Sequence, residues 1–231
     1  MRKLNTAIIM CAGFGKRLKP LTNKVPKPLL KIDDKSLLEN TIDLLFKLKV
    51  NKILLNSHHL SQQIKQFVLK KKLSKKITVF EEKRKILNTG GGISNIINST
   101  RVKDYLILNP DTIWTKDHLI EIIKMKNLYF SKKALNMLLV VKKKRSFDQR
   151  LNGDFSMKKN ILKYNSRKEY IFTGCQIINR NLFSNLKKKI FPISMIWNEL
   201  LTCKSLYGYE SKTKFKHITD IKIYKKLTIK Q

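Results

Sequence analysis

The stretch that most constrains this chain lies near its start. Ala7-Ile8-Ile9-Met10 is a short apolar run and reads as a buried strand. It breaks into Cys11-Ala12-Gly13-Phe14-Gly15-Lys16-Arg17-Leu18, a loop with two glycines. Such a loop lets backbone N–H groups approach and cradle an anion. Arg17, and Lys27 of Pro26-Lys27-Pro28-Leu29-Leu30, bring two positive charges to the same neighbourhood. A glycine loop with an Arg and a Lys is chemistry suited to a polyphosphate. The dinucleotide fingerprint needs a third glycine where this chain has Leu18, and the P-loop pattern needs G-K-[ST]; both are absent. A generic glycine turn followed by solvated basic residues accounts for the glycines, but not for the Arg and the Pro-Lys-Pro at these offsets.

Further along, apolar segments of strand length alternate with helical periodicity, which predicts an α/β fold. Ser36 is a candidate N-cap for a helix carrying Leu37, Leu38, Ile42, Leu45 and Phe46 on one face. Lys52 to Asn56 and Ile77 to Glu82 read as strands. Thr89-Gly90-Gly91-Gly92 opens a helix, a second place where backbone can approach a ligand; the competing reading is a surface turn. Tyr105 to Leu108 is a buried strand ending in Asn109-Pro110-Asp111. In open α/β sheets ligands sit at that end. An acid there, opposite a basic phosphate loop, suits magnesium. The other reading makes Asp111 a helix-start acid.

The full string resembles the signature of the sugar-1-phosphate nucleotidylyltransferases: A-G-x-G-x-R-L, a short gap, then P-K-P-L-L. The resemblance runs over essentially the whole chain. It implies a Rossmann-like three-layer α/β/α fold with a mixed, mostly parallel central sheet. It implies one domain over 1–231, with a nucleotide-binding half (1–130) and a sugar-phosphate half (131–231). It implies that Cys11, Ala12, Gly13, Gly15 and Arg17 hold the triphosphate, and that Thr89, Gly90 and Gly91 lie beside the base. Arg17, Lys27 and Asp111 become the catalytic set. Asp111 and Asp220 become ligands of Mg²⁺, and Asp154 and Gly174 face the sugar phosphate. Gly153-Asp154-Phe155 and Thr89 to Gly92 echo the subgroup that includes N-acetylmuramate-1-phosphate uridylyltransferases. The implied substrates are therefore an NTP, UTP favoured, and a sugar 1-phosphate. Guanylyl or cytidylyl transfer to a mannose, heptose or choline phosphate is the alternative. Two departures stand out: Pro110 replaces a Gly, and Lys222-Ile223 replace a Gly-Thr after Asp220. They are what a catalytically silent, nucleotide-binding regulatory relative would show, and for Asp220 alone a solvated turn acid is the competing reading.

Charge and cysteines limit the other classes. The net charge of +34 comes from lysines spread along all 231 residues, in runs such as Lys70 to Lys72, Lys142 to Lys144 and Lys187 to Lys189. No nucleic-acid module accompanies them, so the expectation is a solvated surface with a field that attracts anionic substrates, and no nucleic-acid partner. Cys11, Cys175 and Cys203 have neither metal nor disulfide spacing. His58-His59 has no acid or thiol near it in sequence and reads as a loop pair that caps or packs, not a metal site. No apolar run approaches the roughly 18 residues of a membrane span, so no membrane partner and a cytoplasmic location are expected. Nothing in the sequence sets an oligomeric state.

Overall fold

The computed structural model describes residues 4–229. The run after the N-terminus is β1 (Thr6–Met10). Ala7 and Ile9 enter one core and Ile8 another. A strand buried on both faces must be apolar throughout, which is why the run does not alternate.

The rest follows in order: α1 (Leu21–Lys24), the hairpin β2 (Lys31–Ile32) and β3 (Lys35–Ser36), α2 (Leu37–Lys47), β4 (Lys52–Ser57), α3 (Ser61–Lys70), β5 (Ile77–Glu81), α4 (Asn88–Asn98), β6 (Asp104–Leu108), α5 (Lys116–Ser131) and β7 (Asn136–Lys142). Then come β8 (Ser156–Lys158), β9 (Ile161–Lys163), β10 (Tyr170–Asn179), α6 (Ser194–Thr202), β11 (Tyr207–Ser211) and α7 (Ile221–Thr228). Ser36 caps α2 by accepting from the Glu39 N–H at 3.1 Å, and Asp220 caps α7 by accepting from Ile223 at 2.9 Å. Each cap satisfies a backbone donor that the helix itself leaves open.

Among the described residues one nine-stranded sheet runs β5-β4-β1-β6-β10-β7-β11-β9-β8. β1 pairs in parallel with β4 and β6, and β4 with β5. β10 is antiparallel to both β6 and β7, and β11 is parallel to β7. Only β10 and β9 oppose the rest, so the sheet is mixed and mostly parallel. The apolar faces of α2, α3 and α5 cover one side; α4 and α6 cover the other. This is the expected three-layer α/β/α arrangement. A smaller cluster of Leu18, Leu30, Leu37 and Ile218, with Tyr224 and Leu227, seats α7 against the segment that follows the glycine loop. After β1 the chain goes to β4 on one side and later to β6 on the other. That switch point opens a crevice at the strand ends. Among the described residues no helix is long and apolar enough to cross a membrane.

Candidate active site

A cavity of about 330 Å³ sits at that crevice. Its walls include Cys11, Ala12, Gly13, Gly15, Arg17 and Lys27 from the glycine-loop side, Asn88 and Thr89 from the start of α4, and Asn109 to Asp111 from the end of β6. Three stretches far apart in sequence thus meet in one place.

The two loop glycines have different reasons to be glycine. Gly15 has φ +63°, and a Cβ there would come within 2.8 Å of the Thr22 side chain. The Thr22 hydroxyl also donates to the Gly15 carbonyl at 3.0 Å. Gly15 therefore serves the turn itself. Gly13 has no such demand: a Cβ would meet nothing within 4 Å. Protein packing leaves that space open, and Gly13 itself lines the cavity.

Asp111 is held by its backbone. The Asn109 N–H donates to Gly174 at 2.8 Å and the Ile218 N–H donates to Asp111 at 2.9 Å, so both flanks are pinned. Pro110, which lacks an N–H, needs no partner at that point. Lys27 Nζ lies 2.6 Å from Asp111 Oδ2 and also donates to the Ile218 carbonyl at 2.8 Å. His217 Nδ1 is 3.6 Å from Asp111 Oδ1. Burial alone would raise the Asp111 carboxyl, but His217 and Lys27 outweigh it and hold the group at about 2. Burial pushes His217 below its ordinary value. Asp111 Oδ1 is buried and has no hydrogen-bond partner. An ionised carboxylate with one unpaired oxygen, lining a cavity together with Arg17, Lys27, Asn88, Thr89 and Asn109, fits a divalent ion completed by phosphate oxygens and water, the usual arrangement for Mg²⁺. Among the described residues no three His, Cys, Asp or Glu side chains cluster into an all-protein cage.

Asp220 does not line this cavity; its neighbour Thr219 does. Asp220 Oδ1 caps α7 and Oδ2 accepts from Arg150 at 2.8 Å. Arg150 also grips Asp148 through two bonds of 2.7 and 2.8 Å. The Arg150 hydrogen bonds and that of Thr219 hold Asp148 well below the usual carboxylate range, against its burial. Asp154 lies elsewhere, accepting from the Phe172 N–H at 2.8 Å beside a separate hollow with Tyr164, Phe172, Ser194 and Trp197. Gly174, at φ +88°, is packed on Asn109, whose side chain a Cβ would meet at 2.9 Å.

Gly90 and Gly91 are not in the cavity wall. They lie inside α4, where a Cβ would strike the Phe191 ring at 2.4 Å and the Lys189 carbonyl at 2.3 Å respectively. The packing of the 189–191 segment against the helix requires them. Thr89 does line the cavity, and its hydroxyl accepts from the Ile193 N–H at 3.0 Å. His58 and His59 bond to the Glu82 and Thr22 carbonyls and pack on Phe14, in keeping with the loop reading. Burial raises the Cys11 thiol, which suits a small wall residue and not a nucleophile. The sequence reading gave no role to Asn56, Asn88, Asn109, His217 or Thr219. Asn109 and His217 stand beside the two candidate acids, and that adjacency was the only available signal.

The fold and this crevice define an α/β protein with a phosphate-suited loop at the switch point of its sheet. Residues 6–147 match the nucleotidyl transferase family, and the chain belongs to that family. It is 29% identical to the N-acetylmuramate alpha-1-phosphate uridylyltransferase of Caulobacter vibrioides over 111 residues, 47% of this chain and 46% of that protein. It is 26% identical to the D-glycero-alpha-D-manno-heptose 1-phosphate guanylyltransferase of Aneurinibacillus thermoaerophilus over 216 residues, 90% of each. The match thus spans about half the length of the first relative and most of the second. A crystal structure of HddC from Yersinia pseudotuberculosis complexed with GMP-PN shares the fold, with a TM-score of 0.76 at 19% identity over 97% of this chain and 98% of that one.

Proposed function

We propose that this protein joins a nucleoside triphosphate to a sugar 1-phosphate, releasing pyrophosphate. A sugar-phosphate oxygen attacks the α-phosphorus, and the bond to the β-phosphate breaks. The nucleophile is already an anion, so no general base is needed; the barrier is charge repulsion and alignment. The observation that carries the reading is the Lys27–Asp111 pair, which lines the same cavity as Gly13 and the open space beside it.

Backbone N–H groups around Gly13 and the Arg17 guanidinium bind and orient the triphosphate. Lys27 neutralises charge between the two phosphates. Asp111 would hold Mg²⁺, with Asp220 as second ligand only once its carboxylate leaves Arg150, and the ion would supply Lewis-acid stabilisation. Asp154 and Gly174 border the sugar-phosphate side. Residues 1–130 carry the nucleotide and 131–231 the sugar phosphate, and the reaction belongs in the cytoplasm, where NTPs are supplied.

UTP with N-acetylmuramate 1-phosphate or a similar hexose phosphate is the favoured pair, supported by the Thr89-Gly90-Gly91-Gly92 and Gly153-Asp154-Phe155 strings and by the uridylyltransferase relative. Guanylyl transfer to a heptose phosphate is the second reading, favoured by the match over 90% of a heptose guanylyltransferase. Pyrophosphate release from UTP, GTP, CTP or dTTP with Mg²⁺ and a panel of sugar 1-phosphates tests both. Release with one NTP and one sugar phosphate supports the reading; none with any pair sinks it.

A further inference from the structure

Two backbone donors at the edge of the cavity are joined by a chain of buried side chains, of which Asn56 also lines the cavity. The Cys11 N–H, in the glycine loop, donates to Asn56 Oδ1 at 2.7 Å. The Leu87 N–H, at the entry to α4, donates to Glu82 Oε2 at 2.7 Å. Between them Asn56 Nδ2 donates to Glu82 Oε1 at 2.7 Å. Asn56 and Glu82 are only 2% and 4% exposed. Among the described residues Glu82 makes no ion pair, so its lone pairs are satisfied by this chain of N–H groups. Gly92 makes room for the link: a Cβ there would sit 2.8 Å from both Asn56 Nδ2 and Glu82 Oε1.

The polarity of the link is dictated by its ends. Both termini are donors, so the middle must offer two more acceptors than it uses as donors in series. One amide relays and one carboxylate terminates; no neutral pair of these shapes does the same. Cys11 lines the cavity from the glycine loop, and Ile86 and Asn88, the neighbours of Leu87, line it from the entry to α4. A nucleoside triphosphate has to span that gap, with phosphates at one wall and nucleoside at the other.

We propose that Asn56 and Glu82 are positioning residues that set the distance between the phosphate loop and the α4 entry turn. The proposal rests on the nucleotide-binding reading above. Glu82→Gln is isosteric, yet whichever way its amide turns, an N–H faces either Asn56 Nδ2 or the Leu87 N–H. Flipping Asn56 moves the clash to Cys11. Asn56→Asp sets two buried carboxylates against each other. The double variant Asn56→Asp/Glu82→Gln restores every bond, with the charge moved by one link. Its carboxylate, now at position 56, accepts from the Cys11 N–H and from the new amide at position 82, whose carbonyl accepts from the Leu87 N–H.

The experiment is calorimetric titration of the full chain and the three variants with UTP, GTP, CTP and dTTP, and with inorganic tripolyphosphate, each with Mg²⁺, beside thermal melts. For the nucleotide that the wild type binds tightest, each single variant is expected to lose at least about tenfold in affinity, the scale of one unmade buried hydrogen bond. Tripolyphosphate, which touches only the phosphate wall, is expected to stay within about threefold, and the double variant to recover nucleotide affinity to within about threefold. A parallel loss of both ligands, unchanged single variants, or a folded double variant as weak as the singles overturns the proposal. If a single variant does not fold, the double decides: recovery of fold and affinity supports the link, and failure overturns it. A wild type that binds none of the four nucleotides overturns the functional reading itself, and the proposal with it.

Discussion

Lys27 and Asp111, 84 positions apart, meet at 2.6 Å where the segment after the glycine loop passes the end of β6. Neither is free: Lys27 is also tied to Ile218, and Asp111 is pinned through its backbone. The pair is only 14% and 20% exposed, so its charges act in a weakly screened site. Asp111→Asn and Lys27→Ala are each expected to lower kcat by about 100-fold or more, the range for removing one electrostatic stabiliser. Thermal melts should shift by only a few degrees. Near-normal rates in both variants would remove the pair from the chemistry.

The two loop glycines should separate fold from binding. Gly15→Ala forces a side chain into left-handed backbone against Thr22 and should cost about 1–2 kcal/mol, read as a lower Tm. Gly13→Ala meets nothing in the protein and should leave Tm unchanged while weakening nucleotide binding. Equal nucleotide affinity in Gly13→Ala and wild type would mean that no ligand passes close to this backbone.

Thr89 holds a wall together. Thr89→Val orphans the Ile193 N–H and should cost about 1–3 kcal/mol in urea titrations, whereas Thr89→Ser should cost far less. A silent Thr89→Val would show that another group satisfies Ile193.

Asp148 supplies a pH signature of stability. Its folded carboxyl is held below the ordinary value of 3.8 by Arg150 and Thr219. A depressed folded value means that the stabilisation is present above the unfolded value and lost as pH falls below it. Relative to Asp148→Asn, the wild type should therefore be more stable at pH 6, on the order of 2 kcal/mol for charge-assisted bonds. That advantage should shrink as pH drops below about 4. A difference independent of pH between about 6 and about 2 would rule out the carboxylate as its source.

Much of the scaffold was legible because it is local. Unbroken apolar runs specify doubly buried strands such as β1 and β6, and Ser36 announces a cap within four residues of the donor it serves. Glycine at 15 follows from a backbone torsion. The glycine triplet shows a second demand that local reading does not carry. Its composition suggests backbone open to a ligand; that Phe191 and Lys189, about a hundred positions away, fill the side-chain space at Gly90 and Gly91 is visible only in the fold. Asp220 is similar: its position in the chain is readable, but its engagement with Arg150 is not.

The sequence by itself determined the type of elements such as β1, α2, β4 and β6, the turn at Gly13 to Arg17 and the family signature, since these depend on torsions and periodicities within a few residues. The tertiary structure decided which charges meet. Strand order brings Lys27 to Asp111, joins Cys11 to Leu87 through Asn56 and Glu82, and sends Asp154 to a different hollow. Those pairings depend on which strands lie side by side, and side-chain periodicity along one strand carries no information about its neighbour.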